Sequence, residues 1–129
     1  MARTRVLLAE DHPSVAEQLR GVLEPEFEVV ATVSDGLALV AAFDELRPDV
    51  VVTDVAMPAL NGIAAARAIL RRDPTARVVL VTVHGDPALV DEGLATGALG
   101  YVLKDTAGEE LPAAVRAARD GRRHVSLGA

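Results

Sequence analysis

Five short aliphatic runs punctuate the chain: Val6–Ala9, Val29–Val33, Val50–Thr53, Val78–Val83 and Leu99–Leu103. Several are apolar at successive positions with no in/out alternation, the pattern of strands covered on both faces in a parallel sheet. The stretches between them repeat at helical spacing. Val15, Leu19, Val22 and Leu23 fall at i, i+4, i+7 and i+8, after Pro13 at a first helical position. Leu39, Phe43 and Leu46 keep that rhythm after Ser34-Asp35-Gly36, and Asn61 can cap a helix carrying Ile63, Ala66, Ile69 and Leu70. Asp86-Pro87 opens a fourth helix with Leu89, Val90 and Leu94. A fifth carries Leu111, Val115 and Ala118, with Glu109 and Glu110 favourably placed in its first turn. Pro112 sits late for a first turn, so the start of that helix is set only loosely.

The pattern is five βα units, for which right-handed crossovers are expected. Residues 121–129, GRRHVSLGA, follow the last helix and read as a linker or frayed tail. A length of 129 residues suits one domain. Half of the residues are hydrophobic and only 2% aromatic, so the core must be built from Val, Leu, Ile and Ala. With no cysteine, disulfides and thiolate metal sites are excluded, and a cytoplasmic location is the expectation. The opening MARTRVLLAED is not a signal peptide, and no apolar run reaches membrane-spanning length. A net charge of −6 argues against a domain that grips nucleic acid with its own surface.

In open parallel sheets, ligands bind beyond the carboxyl ends of the strands. The first run ends in Glu10-Asp11 and the third in Asp54, while the fourth leads into Thr82 and the fifth into Lys104. Only the second, ending in Thr32, Val33 and Ser34, lacks a comparable group. Three carboxylates converging on one rim repel, which raises at least one pKa or calls for a cation. An all-oxygen set suits Mg²⁺ better than zinc, because the three histidines show no ligand spacing. A carboxylate beside Mg²⁺ can attack a phosphoryl group, and Lys104 and Thr82 supply the charge and donor that the transferring oxygens need. Lys104 is the only lysine among 13 basic residues, a compact point charge in a chain that otherwise uses Arg.

Glu10-Asp11, Asp54 with Met57-Pro58 and Gly62, Thr82, and Gly100-Tyr101 with Lys104 together resemble the receiver domain of two-component response regulators. The resemblance covers about residues 4–120. The Asp-His-Pro at 11–13 and Lys-Asp-Thr at 104–106 are similar to the NarL/LuxR-type subfamily. It implies a flavodoxin-like (CheY-like) α/β fold, with a five-stranded parallel sheet in the order 2-1-3-4-5 and helices on both faces. It implies that Asp54 accepts phosphate, and that Glu10, Asp11, Asp54 and the backbone carbonyl of Ala56 hold Mg²⁺. Thr82 would bind the phosphoryl oxygen, Lys104 would pair with the phosphate, and Tyr101 would be the aromatic switch residue that turns inward as Thr82 moves. The implied donor is a sensor histidine kinase or a small acyl phosphate, and the only catalysis is of the domain's own phosphorylation and dephosphorylation. A receiver over residues 1–120 would be followed, through 121–129, by a helix-turn-helix DNA-binding domain; the alternative is a stand-alone receiver acting by protein docking. Homodimers through the fourth helix, fifth strand and fifth helix, or through the first and fifth helices, are the implied assemblies.

Two positions depart from the family pattern. Asp105 stands where many receivers have a cis proline, and Val83 where a small Ala or Gly often follows the Thr. A bulkier residue at 83 is expected to slow access to the site and lengthen the phosphorylated state. His12 and His84 flank the rim, and a structural or solvent role is the expectation for both. Met57-Pro58 is expected to shape the loop after Asp54. The alanines of the last helix (Ala113, Ala114, Ala117, Ala118) form either a dimer face or a helix lying tightly on the sheet. Two rival readings remain. A haloacid-dehalogenase-type hydrolase would carry its nucleophile on the first strand with a second Asp two residues on, where this chain has its acceptor on the third strand and Ala56 at that spacing. A receiver-like domain that signals by binding alone would have no use for the complete acidic set with Thr82 and Lys104.

Overall fold

The structure is a computed structural model that describes residues 3–83 and 87–126. His84 and Asp86 lie outside the described residues, so the expectations placed on them are not taken further. Strands β1 (Arg5–Ala9), β2 (Glu28–Val33), β3 (Val50–Asp54), β4 (Val78–Thr82) and β5 (Gly100–Leu103) alternate with helices α1 (Pro13–Leu23), α2 (Gly36–Leu46), α3 (Gly62–Arg72), α4 (Pro87–Ala95) and α5 (Ala107–Arg119). A sixth strand, β6 (His124–Ser126), follows α5. All pairings are parallel, in the order β2-β1-β3-β4-β5-β6.

The expected flavodoxin-like order is therefore present, extended at one edge. The segment read as tail supplies that extension: Gly100, Tyr101 and Val102 stand in register with His124, Val125 and Ser126. The turn into it is held by the Arg122 N–H on the Ala117 carbonyl and the His124 N–H on the Leu99 carbonyl. The Glu110 carboxylate meets the His124 ring 2.7 Å away.

Period-two alternation within the strands divides the core in two. Leu7, Ala9, Val51 and Leu80 face α2, α3 and α4, where Leu39, Phe43, Ile63, Ile69 and Val90 are buried. Val6, Leu8, Val50, Val52, Val79 and Val81 face α1 and α5, where Leu19, Leu23, Leu111 and Val115 are buried. Strands β1, β3 and β4 are almost wholly buried, because helices cover both their faces. In α5, Ala114, Ala117 and Ala118 are buried and Ala113 is half-buried, so the alanines let the helix lie close on the sheet. Pro112 falls inside α5, which is entered through a 3-10 turn over Lys104–Thr106.

Local chemistry sets the helix starts. Pro13 opens α1, and the side chains of Asp35 and Asn61 accept from the N–H groups of Ala38 and Ala64, each 2.8 Å away. Gly36 and Gly62 then begin their helices in tight quarters. A Cβ at Gly62 would overlap the carbonyl oxygen of Asp54, and one at Gly36 would overlap the backbone of Leu60. The loop after β3 is thus pressed between two helix starts. Gly62→Ala is expected to lower stability by about 1–3 kcal/mol through overpacking. Gly21→Ala, in α1 where a Cβ meets nothing, should be neutral or stabilising. Thermal melts of the two variants side by side check this.

Candidate functional site

The order of the strands reverses between β1 and β3, and the two carboxylate-bearing strand ends meet there. Glu10 follows β1 directly and its N–H donates to the Val33 carbonyl at 3.0 Å. Asp54 is the last residue of β3, in register with Val81, so Thr82 ends β4 one residue beyond. Thr82 pairs with Leu103, and Lys104 comes next. The expected rim is assembled by register alone.

Lys104 Nζ lies 2.6 Å from Glu10 Oε1 and 3.3 Å from Asp54 Oδ2. The three side chains are 15%, 0% and 5% exposed, so this charge triad is nearly dry. One ammonium between two buried carboxylates does not serve them equally. Burial works against Glu10's charge, but the hydrogen bonds from Lys104 and the His12 N–H outweigh it, and its pKa falls below the usual value. Asp54 goes the other way: burial, reinforced by the charge of Glu10, pushes its carboxyl up to about 6 against the pull of Lys104 and the Ala56 N–H. Burial also opposes the Lys104 ammonium, yet Glu10 and Asp54 together hold its pKa above normal.

The loop after Asp54 is tightly tied. The Val55 N–H donates to the Val81 carbonyl and the Gly62 N–H to the Val55 carbonyl. The Thr53 hydroxyl donates to the Asp54 carbonyl at 2.9 Å and touches Met57 Sδ at 4.0 Å. Ala59 has φ +65°, and the Leu60 N–H closes a γ-turn on the Pro58 carbonyl at 2.7 Å. Tyr101 is fully buried among the residues of the α2–α4 side of the core. Gly93 of α4 leaves it room, since a Cβ there would stand 3.1 Å from Tyr101 Cε2. Nothing in the apolar rhythm of the chain singled out Gly93 or Thr53.

Glu10, Asp11, His12 and Asp54 each bring a donor atom within 4.8 Å of the others. Asp11 Oδ1 is buried and accepts no hydrogen bond among the described residues, with the His12 ring at ion-pair distance beside it. A hard divalent cation answers that need, and three carboxylates fit Mg²⁺. His12, which the sequence assigned to structure or solvent, is drawn into this group. Its ring Nδ1 lies 3.2 Å from both Glu10 Oε2 and Asp11 Oδ1.

A family model described as the response regulator receiver domain matches residues 6–116. The transcriptional regulatory protein DegU of Brevibacillus brevis is 34% identical over 125 residues, covering 95% of this chain and 53% of its own length. The DNA-binding response regulator MtrA of Mycolicibacterium smegmatis is 42% identical over 115 residues, covering 89% and 50%. The chain thus spans about half the length of the curated relatives it matches. A two-component response regulator of the LuxR family from Aurantimonas sp. SI85-9A1 superposes with a TM-score of 0.90 at 36% identity, covering 95% of this chain and 89% of that one.

The raised Asp54 pKa makes a prediction for the metal-free protein. A carboxyl whose folded pKa exceeds its unfolded value of 3.8 contributes stability that is present below about pH 3.8 and lost as pH rises through about 6. Asp54→Asn should therefore be more stable than the parent at pH 8 by on the order of 2 kcal/mol, with the gap closing near pH 4. Urea denaturation in EDTA at the two pH values measures it.

Proposed function

The chain belongs to the response regulator receiver family, a family of phosphorylation-dependent signalling switches, and on that premise we propose that Asp54 is the residue that takes the phosphoryl group. The observation that carries the proposal is the position of Asp54. It is a buried carboxylate at the strand-order reversal, with Lys104 on one oxygen and the acidic pair Glu10-Asp11 beside it. Glu10, Asp11 and Asp54, with the backbone carbonyl of Ala56, would hold Mg²⁺, which when bound neutralises charge on the transferring phosphoryl group. An Asp54 oxygen forms the new bond to phosphorus as the bond to the donor's nitrogen or acyl oxygen breaks. Lys104 then exchanges a carboxylate for the more highly charged phosphoryl oxygens, and the Thr82 hydroxyl donates to one of them.

The donor in this reading is a sensor histidine kinase, or a small acyl phosphate. Coupling to an output runs through β4 and β5, because Thr82 and Tyr101 lie on adjacent, paired strands. A near-complete switch needs about 5.5 kcal/mol of differential stabilisation between the two states. Because DegU is a transcriptional regulatory protein and MtrA a DNA-binding response regulator, each about twice this length, we assign the domain to control of a DNA-binding output. DNA contact belongs to that output rather than to this acidic domain. A stand-alone receiver that works by docking to a partner protein is the second reading.

Incubation with acetyl phosphate and Mg²⁺, followed by intact mass, should show one added phosphoryl group that is absent in Asp54→Asn. No adduct on the parent chain would instead favour signalling by binding alone. Val83 follows Thr82 directly and is 60% exposed, and in this reading its side chain screens the acyl phosphate from water. Val83→Ala should shorten the lifetime of the phosphorylated state about two-fold or more, on the order of 0.4 kcal/mol in barrier. A dephosphorylation time course on the two proteins would read this, and equal rates would remove Val83 from the account.

A further inference from the structure

We propose that Thr53 is a positioning residue for the acceptor: its hydroxyl, by bonding the Asp54 carbonyl, fixes the peptide plane at the root of the Asp54 side chain and so sets how fast Asp54 takes a phosphoryl group. This builds on the reading above that Asp54 is the acceptor, and adds an uncharged residue outside the rim of Glu10, Asp11 and Lys104. A hydroxyl stands here where the packing asks for none. Alternation along β3 puts Thr53 between Val51 and Val55, and the register sets it beside Ala9 of β1 and Leu80 of β4. All four belong to the apolar core on the α2–α4 side, and Thr53 is fully buried with them. Valine has almost the same shape and would need no hydrogen-bond partner at this position, whereas a buried hydroxyl does.

The partner of that hydroxyl is the carbonyl of the acceptor residue itself, 2.9 Å away. This carbonyl belongs to the peptide unit shared with Val55, whose N–H donates to the Val81 carbonyl at 3.1 Å. A peptide unit is planar, so holding its oxygen and its N–H together stops the plane from rotating. Both ends of the plane matter to the site. At one end is the Asp54 Cα, from which the carboxylate projects. Beyond the other the chain runs into Ala56, whose N–H bonds that carboxylate. Gly62 bears on the same oxygen, since a Cβ there would overlap it. One carbonyl is thus met by a buried hydroxyl and by a helix start with no side chain. Were the hydroxyl merely satisfying itself on the nearest carbonyl, valine in its place would leave the chemistry of Asp54 untouched.

Misplacing a reacting group by about 1 Å costs on the order of a hundred-fold in rate, and a loosened plane moves the carboxylate by a fraction of that. Thr53→Val should therefore take up phosphate from acetyl phosphate about five-fold more slowly than the parent. The slowing should persist at saturating Mg²⁺, which puts it in the transfer step rather than in cation binding. Thr53→Ser keeps the hydroxyl and loses only a methyl, and should return to within about two-fold of the parent rate. Intact-mass time courses on the full chain give the rates, and thermal melts give the folded fraction of each protein at the assay temperature, so that rates are compared per folded molecule. Thr53→Ala supplies a second side chain without a hydroxyl should valine disturb the packing, and the same slowing is expected of it. A parent-like rate in the folded hydroxyl-free variant, or a serine variant as slow as that one, overturns the inference. A slowing that saturating Mg²⁺ abolishes overturns it as well. A parent chain that gains no adduct overturns instead the acceptor reading beneath it.

Discussion

Two carboxylates share one ammonium in the interior of this protein, and much else follows from that shortage. Burying Glu10 and Asp54 without Lys104 would leave charge in a dry site, and losing one partner of such a pair typically costs about 3–5 kcal/mol. Lys104 can satisfy Glu10 closely and Asp54 only at longer range. The deficit falls on Asp54, whose carboxyl is pushed up to about 6 while Glu10 stays ionised. The group left short of positive charge is the one placed to gain most from a cation and to give up its place to a phosphate. A domain of Val, Leu, Ile and Ala supplies the low-dielectric surroundings that make this imbalance matter.

The stiffness of the loop after β3 complements that electrostatic bias. Asp54 is held from behind by Thr53 and from beyond by the Gly62 N–H on Val55, and Ala59 sits in a left-handed γ-turn that non-glycine residues adopt only under constraint. Backbone strain of this kind is of order 1–3 kcal/mol and persists only where the surroundings over-determine it. Here the surroundings are the two glycine-led helix starts that clasp the loop. Precision at the acceptor is thus supplied by residues that carry no charge.

Most of the architecture was legible in the chain because buried parallel strands declare themselves as unbroken aliphatic runs. Each of the five appeared within a residue or so of its observed limits, and Pro13, Asp35 and Asn61 marked helix starts. The convergence of Glu10, Asp11, Asp54, Thr82 and Lys104 followed from strand ends sharing one rim. What escaped depended on tertiary context. β6 is three residues long with polar ends, and it becomes a strand only because β5 presents an unpaired edge. The proximity of His12 to two carboxylates is set by the turn out of β1, which no spacing rule reports. Gly93 carries no chemistry and matters because Leu80 and Tyr101 fill the space opposite.

Strand β6 has a consequence beyond topology. Without it β5 would end the sheet as a row of open N–H and C=O groups, an invitation to strand-by-strand self-association. The three described residues of β6 close that row and are anchored to α5 through His124 and Glu110. Trimming the protein at the end of α5 would therefore discard more than a connector, because it would uncover an adhesive border along the strand that leads into Lys104.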